Sequence, residues 1–229
     1  MRDENVDILM IGDICLKTMH RGELLAPEVR KLFGEHDMVT CDLGITLCNA
    51  NAPEAMKIGP YEQPTTDSVQ ICRKIGIDMV RLAGNHIMDF GVEGMTHLQR
   101  KLKKEGITYI GVSEKEQDEA YKPYLYEKND LKIACFSAGE ISFGDLDEGN
   151  ECGYAWVNSY KLEENIRKIR DMLLEDENII VIISTTAYYW EIRDYLFSHL
   201  KRRKYIDYQY FVVQMQNYEF NEAMRMQKE

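Results

Sequence analysis

The stretch 77–102 constrains the fold of this chain more than any other part of the sequence. Residues 77–81 are mostly apolar and predict a short buried strand. An apolar residue then recurs every three or four positions, which predicts a helix with one buried face: Val92, Met95, Leu98 and Leu102. The intervening residues 82–91 therefore predict a strand-to-helix crossover, where an α/β sheet presents its carboxyl edge to ligands.

Three polar side chains in this crossover can carry chemistry: Asn85, His86 and Asp89. An amide oxygen, an imidazole and a carboxylate so close in sequence can bind a hard or borderline metal ion and move a proton. A purely structural interpretation of the same residues stays open at this point. In that interpretation Asn85 lies in a turn, His86 is packed or solvated, and Asp89 caps the next helix.

Two earlier apolar segments end in the same way as the strand before the crossover. Residues 6–11 lead through a glycine to Asp13, and residues 37–41 lead to Asp42. Taken alone, a Gly-Asp pair is also typical of a plain turn. Because parallel strands lie side by side, we predict that the side chains of Asp13, Asp42 and Asn85 converge to within roughly 8 Å at one sheet edge. Their oxygens could hold one or two divalent cations.

The order of the predicted elements indicates the fold class. Strands and helices alternate up to residue 110, which predicts an α/β fold with a mainly parallel sheet and helices on its faces. A hairpin around 128–130 and an amphipathic helix at 162–174 follow, then a buried strand. We expect one domain over residues 1–184. Residues 185–229 are rich in tyrosine and predict a segment that packs on this domain or against a second copy in a homodimer.

Charge and cysteine spacing argue against several classes of protein. A formal net charge of −11 argues against general nucleic-acid binding and against docking on anionic membranes. The longest strongly apolar run, 179–183, is too short to cross a bilayer. The six cysteines show no zinc-finger spacing, and the polar amino terminus does not read as a signal peptide. As written, the sequence predicts a cytoplasmic protein without a membrane span.

Three motifs resemble a known family. The segments 8–13 (Ile-Leu-Met-Ile-Gly-Asp), 83–91 (Ala-Gly-Asn-His-Ile-Met-Asp-Phe-Gly) and 106–111 are similar to those of the bacterial capsule-synthesis protein CapA family. That family is also described as poly-γ-glutamate capsule biosynthesis proteins. The resemblance covers residues 6–140 and is strongest over 76–111. It implies a calcineurin-like metallophosphatase fold, in which mixed β-sheets flanked by helices form four layers, αββα, here shortened at the carboxyl end.

The resemblance also implies roles for individual residues. Gly84-Asn85-His86 is similar to the Gly-Asn-His element of metallophosphoesterases, in which the asparagine binds metal and the histidine supports the leaving group. Asp13 and Asn85 are thereby expected as metal ligands, and His86 as a ligand or general acid. Asp89 is expected to orient the loop, and Asp42 to supply a further carboxylate. The expected cofactor is a divalent ion of the Mn, Zn or Fe class.

This chain departs from the family pattern at two places. The family usually carries Asn-Leu-Glu after its second strand, whereas this chain has Asp42-Leu43-Gly44, so a glycine stands at the glutamate position. The late histidines of the family are missing, because His199 is the sole histidine after His97. With so few nitrogen ligands, we expect a divalent ion to bind weakly or not at all.

Two function classes therefore stay open, and with them whether the chain is an enzyme. The first is a metal-dependent hydrolase or transferase that acts on a phosphoester or γ-glutamyl-type amide of an anionic cell-envelope polymer or small molecule. The second is a degenerate, non-catalytic relative that keeps the fold as a scaffold or for ligand binding. The crossover motif favours the first class, and the two departures favour the second.

Overall fold

The computed structural model describes residues 6–14, 25–43, 68–115, 117–139, 152–156 and 179–185, with the single positions 164, 167 and 171. Its elements are, in chain order, β1 (Ile8–Asp13), α1 (Pro27–Gly34), β2 (Met38–Asp42), α2 (Ser68–Ile75), β3 (Met79–Arg81), α3 (Gly91–Glu105), β4 (Thr108–Ile110), β5 (Val112–Ser113), α4 (Gln117–Ala120), β6 (Tyr124–Lys128), β7 (Leu131–Ala138), β8 (Gly153–Tyr154) and β9 (Ile179–Thr185).

The first four strands form one parallel sheet in the order β1-β2-β3-β4. A helix lies between each strand and the next: α1, α2 and α3. Parallel neighbours need such crossovers, because the chain must return along the sheet before it can add the next strand in the same direction. The predicted α/β fold with a mainly parallel sheet is therefore confirmed.

The two faces of the parallel sheet are buried in different layers. Successive side chains of a strand point to opposite faces, so Val39, Cys41 and Val80 pack in the core that α1, α2 and α3 share with the sheet. Met38 and Met79, one residue earlier on the same strands, belong to a second core on the other face. Both faces are therefore buried, which explains why these strands are almost continuously apolar.

Helix α3 has the buried face that its sequence predicts, at three of the four positions. Met95, Leu98 and Leu102 have no exposed surface. Val92 lies in the first turn and is 40% exposed, so the buried face begins one turn later than predicted. Gly106 ends the helix with a left-handed backbone (φ 69°), as expected for a glycine at this position.

A second sheet, ordered β6-β7-β9, closes the second core. Strands β6 and β7 are antiparallel and Lys128 pairs with Leu131, which leaves Asn129 and Asp130 as a two-residue turn with positive φ angles of 53° and 64°. The predicted hairpin is thus confirmed. Strand β9 runs parallel to β7. The two sheets meet through six buried side chains: Met38, Met79, Ile110, Ile133, Cys135 and Ile182.

The described residues thus form three layers, with helices on a parallel sheet that packs on a mixed sheet. Of the predicted helix 162–174, positions 164, 167 and 171 are described, and all three are helical and exposed. The rest of the expected outer helical layer lies outside the described residues, as do residues 186–229. The packing and dimerisation roles of that tail stay predictions. Among the described residues, no helix combines the length and apolar character that a membrane span requires.

Gly111, which connects β4 to β5, packs between the parallel sheet and β7 at a point where no side chain fits. Its φ is +90°, and a Cβ at this position would lie 2.9 Å from Cβ of Ser137 in β7 and 3.0 Å from Cβ of Ala83 after β3. The carbonyl oxygen of Gly111 accepts a hydrogen bond from the Ala155 N–H (2.9 Å). Both the backbone angle and the close approach therefore require glycine.

We predict that Gly111→Ala lowers the free energy of unfolding by about 2–4 kcal/mol, because it adds backbone strain and overpacks the joint between the sheets. Urea denaturation followed by circular dichroism measures this change. Gly34→Ala is the matched control, since nothing lies within 4 Å of a Cβ there. Equal effects of the two substitutions would contradict the assigned role of Gly111.

Candidate functional site

An irregularity in β1 decides which residue lies beside Asp42. The pairing runs from Met10 opposite Thr40 to Asp13 opposite Asp42, so three steps along β1 match two steps along β2. Without this extra residue, Gly12 would face Asp42 instead. The irregularity thus aligns two carboxylates at the ends of neighbouring strands, which agrees with the predicted convergence of Asp13 and Asp42.

Arg81, the last residue of β3, continues this row and pairs with Asp42. Arg81 is the register partner of Asp42. Its Nε donates to Asp42 Oδ1 (2.8 Å) and its Nη2 donates to Oδ2 (2.8 Å), a bidentate arrangement. Nη2 also donates to the carbonyl oxygen of Ile11 in β1 (2.7 Å). Both oxygens of Asp42, a predicted metal ligand, therefore accept hydrogen bonds from a guanidinium.

The Asp42–Arg81 ion pair is almost entirely removed from water. Arg81 is 2% exposed, and the Asp42 side chain is 13% exposed. Nη1 of Arg81 is buried and has no hydrogen-bond partner within the described part of the chain. A charge at such a depth is tolerated only when it is paired. Asp42 is thus first of all the counterion of Arg81.

Reasoning from the sequence missed Arg81, although a signal was present. It is the one cation within an otherwise apolar strand, Met79–Arg81, that is buried on both faces. Arginine is rarely fully buried without a partner, so a neighbouring strand had to supply an acid. Asp42 was available, because it ends the adjacent strand.

His86 and Asp89 form a second polar pair in the crossover between β3 and α3. His86 Nδ1 lies 2.9 Å from Asp89 Oδ2, so its N–H donates to the carboxylate. The Asp89 side chain is fully buried, whereas 23% of the His86 side chain is exposed. The N-cap residue of α3 is Phe90, which makes no side-chain cap hydrogen bond. Asp89 thus lies one position before the N-cap residue, and its role as a cap stays a prediction.

Tight turns and apolar anchors hold this crossover in place. The Ile87 N–H donates to the Gly84 carbonyl oxygen (3.2 Å), and the Asp89 N–H donates to that of His86 (3.2 Å). The side chains of Ile87, Met88 and Phe90 are buried. These buried apolar side chains anchor the loop, while the imidazole of His86 stays near the surface.

Asp13 and His86 are electrostatic neighbours at this edge. Loss of hydration raises the pKa of the Asp13 carboxyl, and attraction by Arg81 and by His86 opposes this shift without cancelling it. Asn85 is exposed in the turn that follows β3. Asp13, Asp42, Arg81 and His86 therefore share the carboxyl edge of the parallel sheet, and the role of Asn85 as a ligand stays a prediction.

The described residues do not fit a centre with two metal ions. A metal ion at Asp42 would have to compete with Arg81 for the two carboxylate oxygens, and the positive guanidinium would repel that ion. No group of three or more His, Cys, Asp or Glu side chains within the described ranges is arranged to hold a metal ion. Gly44 lies outside these ranges. The donors that remain for a single ion are Asp13, Asn85 and His86.

We predict that Arg81→Met lowers the free energy of unfolding by about 3–5 kcal/mol, because it leaves Asp42 charged and unpaired in a buried place. The double variant Arg81→Met/Asp42→Leu should recover most of this loss, since apolar residues often replace a buried pair at little cost. Chemical denaturation of the single and double variants forms a mutant cycle.

The control for this cycle is the exposed pair Lys31–Glu35, whose atoms lie 3.5 Å apart. Lys31→Met should change the stability by no more than about 0.5 kcal/mol. If the effects of the Arg81 and Asp42 substitutions simply add, the two residues are not coupled and the assigned pair is wrong.

Comparison with known proteins identifies a family for this chain. The model of the family described as "Bacterial capsule synthesis protein PGA_cap" matches residues 7–196. Two relatives from Sinorhizobium fredii (strain NBRC 101917 / NGR234), the uncharacterized proteins y4sH and y4uA, are each 28% identical to this chain over 155 residues. The aligned region covers 58% of this chain but only 33% of each relative, so the chain matches about a third of their length.

The family match extends from the start of β1 past the end of β9 and so includes every described element. It also covers more than half of the 229 residues. The resemblance expected from the Gly-Asp end of β1 and the Asn-His-x-x-Asp crossover is thus confirmed, and this chain belongs to the bacterial capsule synthesis protein family PGA_cap.

Proposed function

We propose that this chain acts in capsule or cell-envelope polymer metabolism as a hydrolase or transferase that breaks a phosphoester or γ-glutamyl-type amide bond. Membership of the capsule synthesis family supports the polymer class, with a poly-γ-glutamate-type chain as the first candidate substrate. The observation that carries the reaction type is the pair formed by His86 and the buried Asp89.

This pair has the arrangement that proton transfer requires. A buried carboxylate at Nδ1 fixes the tautomer and the orientation of the ring, so Nε2 is the nitrogen that exchanges a proton. Partial exposure of the imidazole lets a substrate reach it. His86 therefore protonates the leaving group or takes a proton from the attacking water, while Asp89 stabilises the charged imidazolium.

Asp13 gives the same edge a second group for the substrate. It is exposed at the end of β1 and within electrostatic reach of His86. One polar group of a substrate can therefore contact both side chains. Protonated His86 supplies the positive charge that holds an anionic substrate group at this edge, because the charge of Arg81 is already balanced by Asp42.

A divalent cation enters the proposal as a single ion that Asp13 and Asn85 would hold, because Nδ1 of His86 is bonded to Asp89 and its Nε2 is needed for proton transfer. When bound, such an ion polarises the bond to be broken or lowers the pKa of a water molecule. Because loss of hydration raises the pKa of Asp13, a cation at this carboxylate has to compete with a proton more strongly than at a fully hydrated aspartate. The chain's own residues supply the remaining steps: orientation by Asp89 and proton transfer at His86.

One observation favours a non-catalytic alternative. The central carboxylate of the row, Asp42, is engaged by Arg81 in a buried ion pair. A relative that kept the fold only as a scaffold or for ligand binding could use its former site residues in this structural way. The two functions differ in whether the wild-type chain turns over a substrate at all.

The test of catalysis uses the purified chain with p-nitrophenyl phosphate, bis(p-nitrophenyl) phosphate and γ-glutamyl-p-nitroanilide, each with and without Mn²⁺. His86→Gln should lower kcat by about 10²–10⁴-fold, the usual contribution of general acid–base catalysis. Asp89→Asn should also lower kcat, because it removes the negative charge that orients the His86 imidazole.

His97→Gln is the matched control, since His97 lies on α3 rather than in the crossover. It should retain the wild-type kcat, and thermal unfolding should show that all three variants are folded. Full activity of His86→Gln would refute the proposed mechanism. No turnover of any substrate by the wild type would support the non-catalytic alternative.

Metal content provides a separate test. We predict that Asp13→Asn or Asn85→Ala removes most of the Mn²⁺ or Zn²⁺ that the purified chain retains, because each substitution deletes an oxygen ligand. Arg81→Ser should raise metal binding, since it removes a positive charge and releases both oxygens of Asp42. Asp130→Asn in the β6–β7 turn is the control. Equal metal content in all variants would place the site elsewhere.

A further inference from the structure

A separate cavity of about 520 Å³ lies beside β4, the last strand in the order of the parallel sheet. It is lined by residues of α3, the β4–β5 segment, α4 and the start of β6, and none of the residues of the His86–Asp89 edge lines it. Its volume is in the range of cavities that hold small molecules. The cavity is therefore a candidate binding site in its own right.

Gln99 gives this cavity an unsatisfied polar group. The residue lies on α3 and lines the cavity, yet it is only 5% exposed. Its Oε1 atom is buried and accepts no hydrogen bond within the described part of the chain. Buried acceptors are nearly always paired, because an unpaired one loses its hydration without compensation. A ligand that brings an N–H or O–H donor would pair it once the terminal amide of Gln99 turns towards the cavity.

Lysines give the cavity a positive character in an acidic chain. Lys103, Lys115 and Lys122 line it with Glu114 and Glu119, an excess of one positive charge in a chain of net charge −11. Lys122 already forms an ion pair with Glu119. No ion pair of Lys115 occurs within the described ranges, and its backbone N–H donates to Ser113 Oγ (3.4 Å), which fixes the turn that carries it.

Lys103 is also held in position at the wall of the cavity. Its ammonium lies 5.7 Å from the centre of the Tyr109 ring, at the distance of a cation–π contact. A hydrogen bond with the Tyr109 hydroxyl raises the pKa of Lys103, so this side chain is charged at neutral pH. Two positioned cations, Lys103 and Lys115, and one acceptor, Gln99, thus surround the same space.

We propose that this cavity binds a small molecule that carries one carboxylate and one amide N–H. The carboxylate contacts Lys103 and Lys115, and the N–H donates to Oε1 of Gln99. A single negative charge matches the excess of one positive charge, whereas a phosphate dianion would leave unbalanced negative charge beside Glu114 and Glu119. This site does not depend on the catalytic role proposed for His86.

Hippurate is a suitable probe, because it has one carboxylate, one amide N–H and a ring that can pack on Tyr109. N-benzoylsarcosine is its matched partner, in which a methyl group replaces the N–H hydrogen. Ligand-observed NMR titration measures both dissociation constants. We expect hippurate to bind at least threefold more tightly, and Gln99→Leu to abolish this preference.

Charge variants test the lysines. Lys103→Gln and Lys115→Gln should each weaken hippurate binding by roughly threefold to tenfold, as expected for the loss of a partly exposed charged hydrogen bond. Lys104→Gln, on the same helix but not on the cavity wall, is the control and should leave binding unchanged. His86→Gln should also bind hippurate normally, which separates this site from the edge that carries His86.

Three results would overturn the proposal. The first is the absence of hippurate binding at millimolar concentration. The second is equal weakening by Lys104→Gln and Lys115→Gln, which would reduce the effect to general charge. The third is tighter binding of inorganic phosphate than of hippurate, which would mean that the cavity selects a different anion.

Discussion

The buried ion pair between Asp42 and Arg81 is the constraint on which the arrangement of this sheet depends. It joins β2 to β3, and the hydrogen bond from Arg81 to the carbonyl oxygen of Ile11 extends the link to β1. A shift of β3 by one residue would turn Arg81 towards the helices, into a core that contains Val39 and Cys41. The described residues of that core are apolar, so a buried arginine there would be costly, and the pair penalises wrong registers more strongly than apolar packing alone.

The same pair changes what the sheet edge can do. A row of carboxylates at the ends of parallel strands would attract divalent ions. A guanidinium in the row neutralises Asp42 and so weakens the attraction of a cation to this edge. Asp13 lies at the end of the row beside His86, and loss of hydration raises the pKa of its carboxyl. The side chains available to a substrate therefore lie at the end of β1 and in the crossover after β3, and not at Asp42 between them.

Local sequence signals predicted the elements, and long-range register decided the site. The end of α3 at Gly106 and the two-residue turn at Asn129 depend on a few neighbouring residues, so the sequence alone was sufficient for them. The extra residue in β1 that sets Asp13 beside Asp42 has one local signal, Gly12, because a glycine within a strand is typical of a bulge but does not fix the register. Asp42 was interpreted from its strand alone as a metal ligand, because its partner Arg81 is 39 residues away. The pairing of β2 with β3 is needed to show that Asp42 contacts Arg81.

Gly111 packs between the cavity beside β4 and the crossover that carries His86. It lines the cavity beside β4, and the space for its missing Cβ is filled by Ala83 and Ser137. Ala83 immediately precedes the turn that carries His86, so the cavity wall and the crossover share a close-packed contact. Packed interiors transmit small displacements because they contain few voids. The packing around Gly111 therefore sets the position of both the cavity wall and the segment that leads to His86.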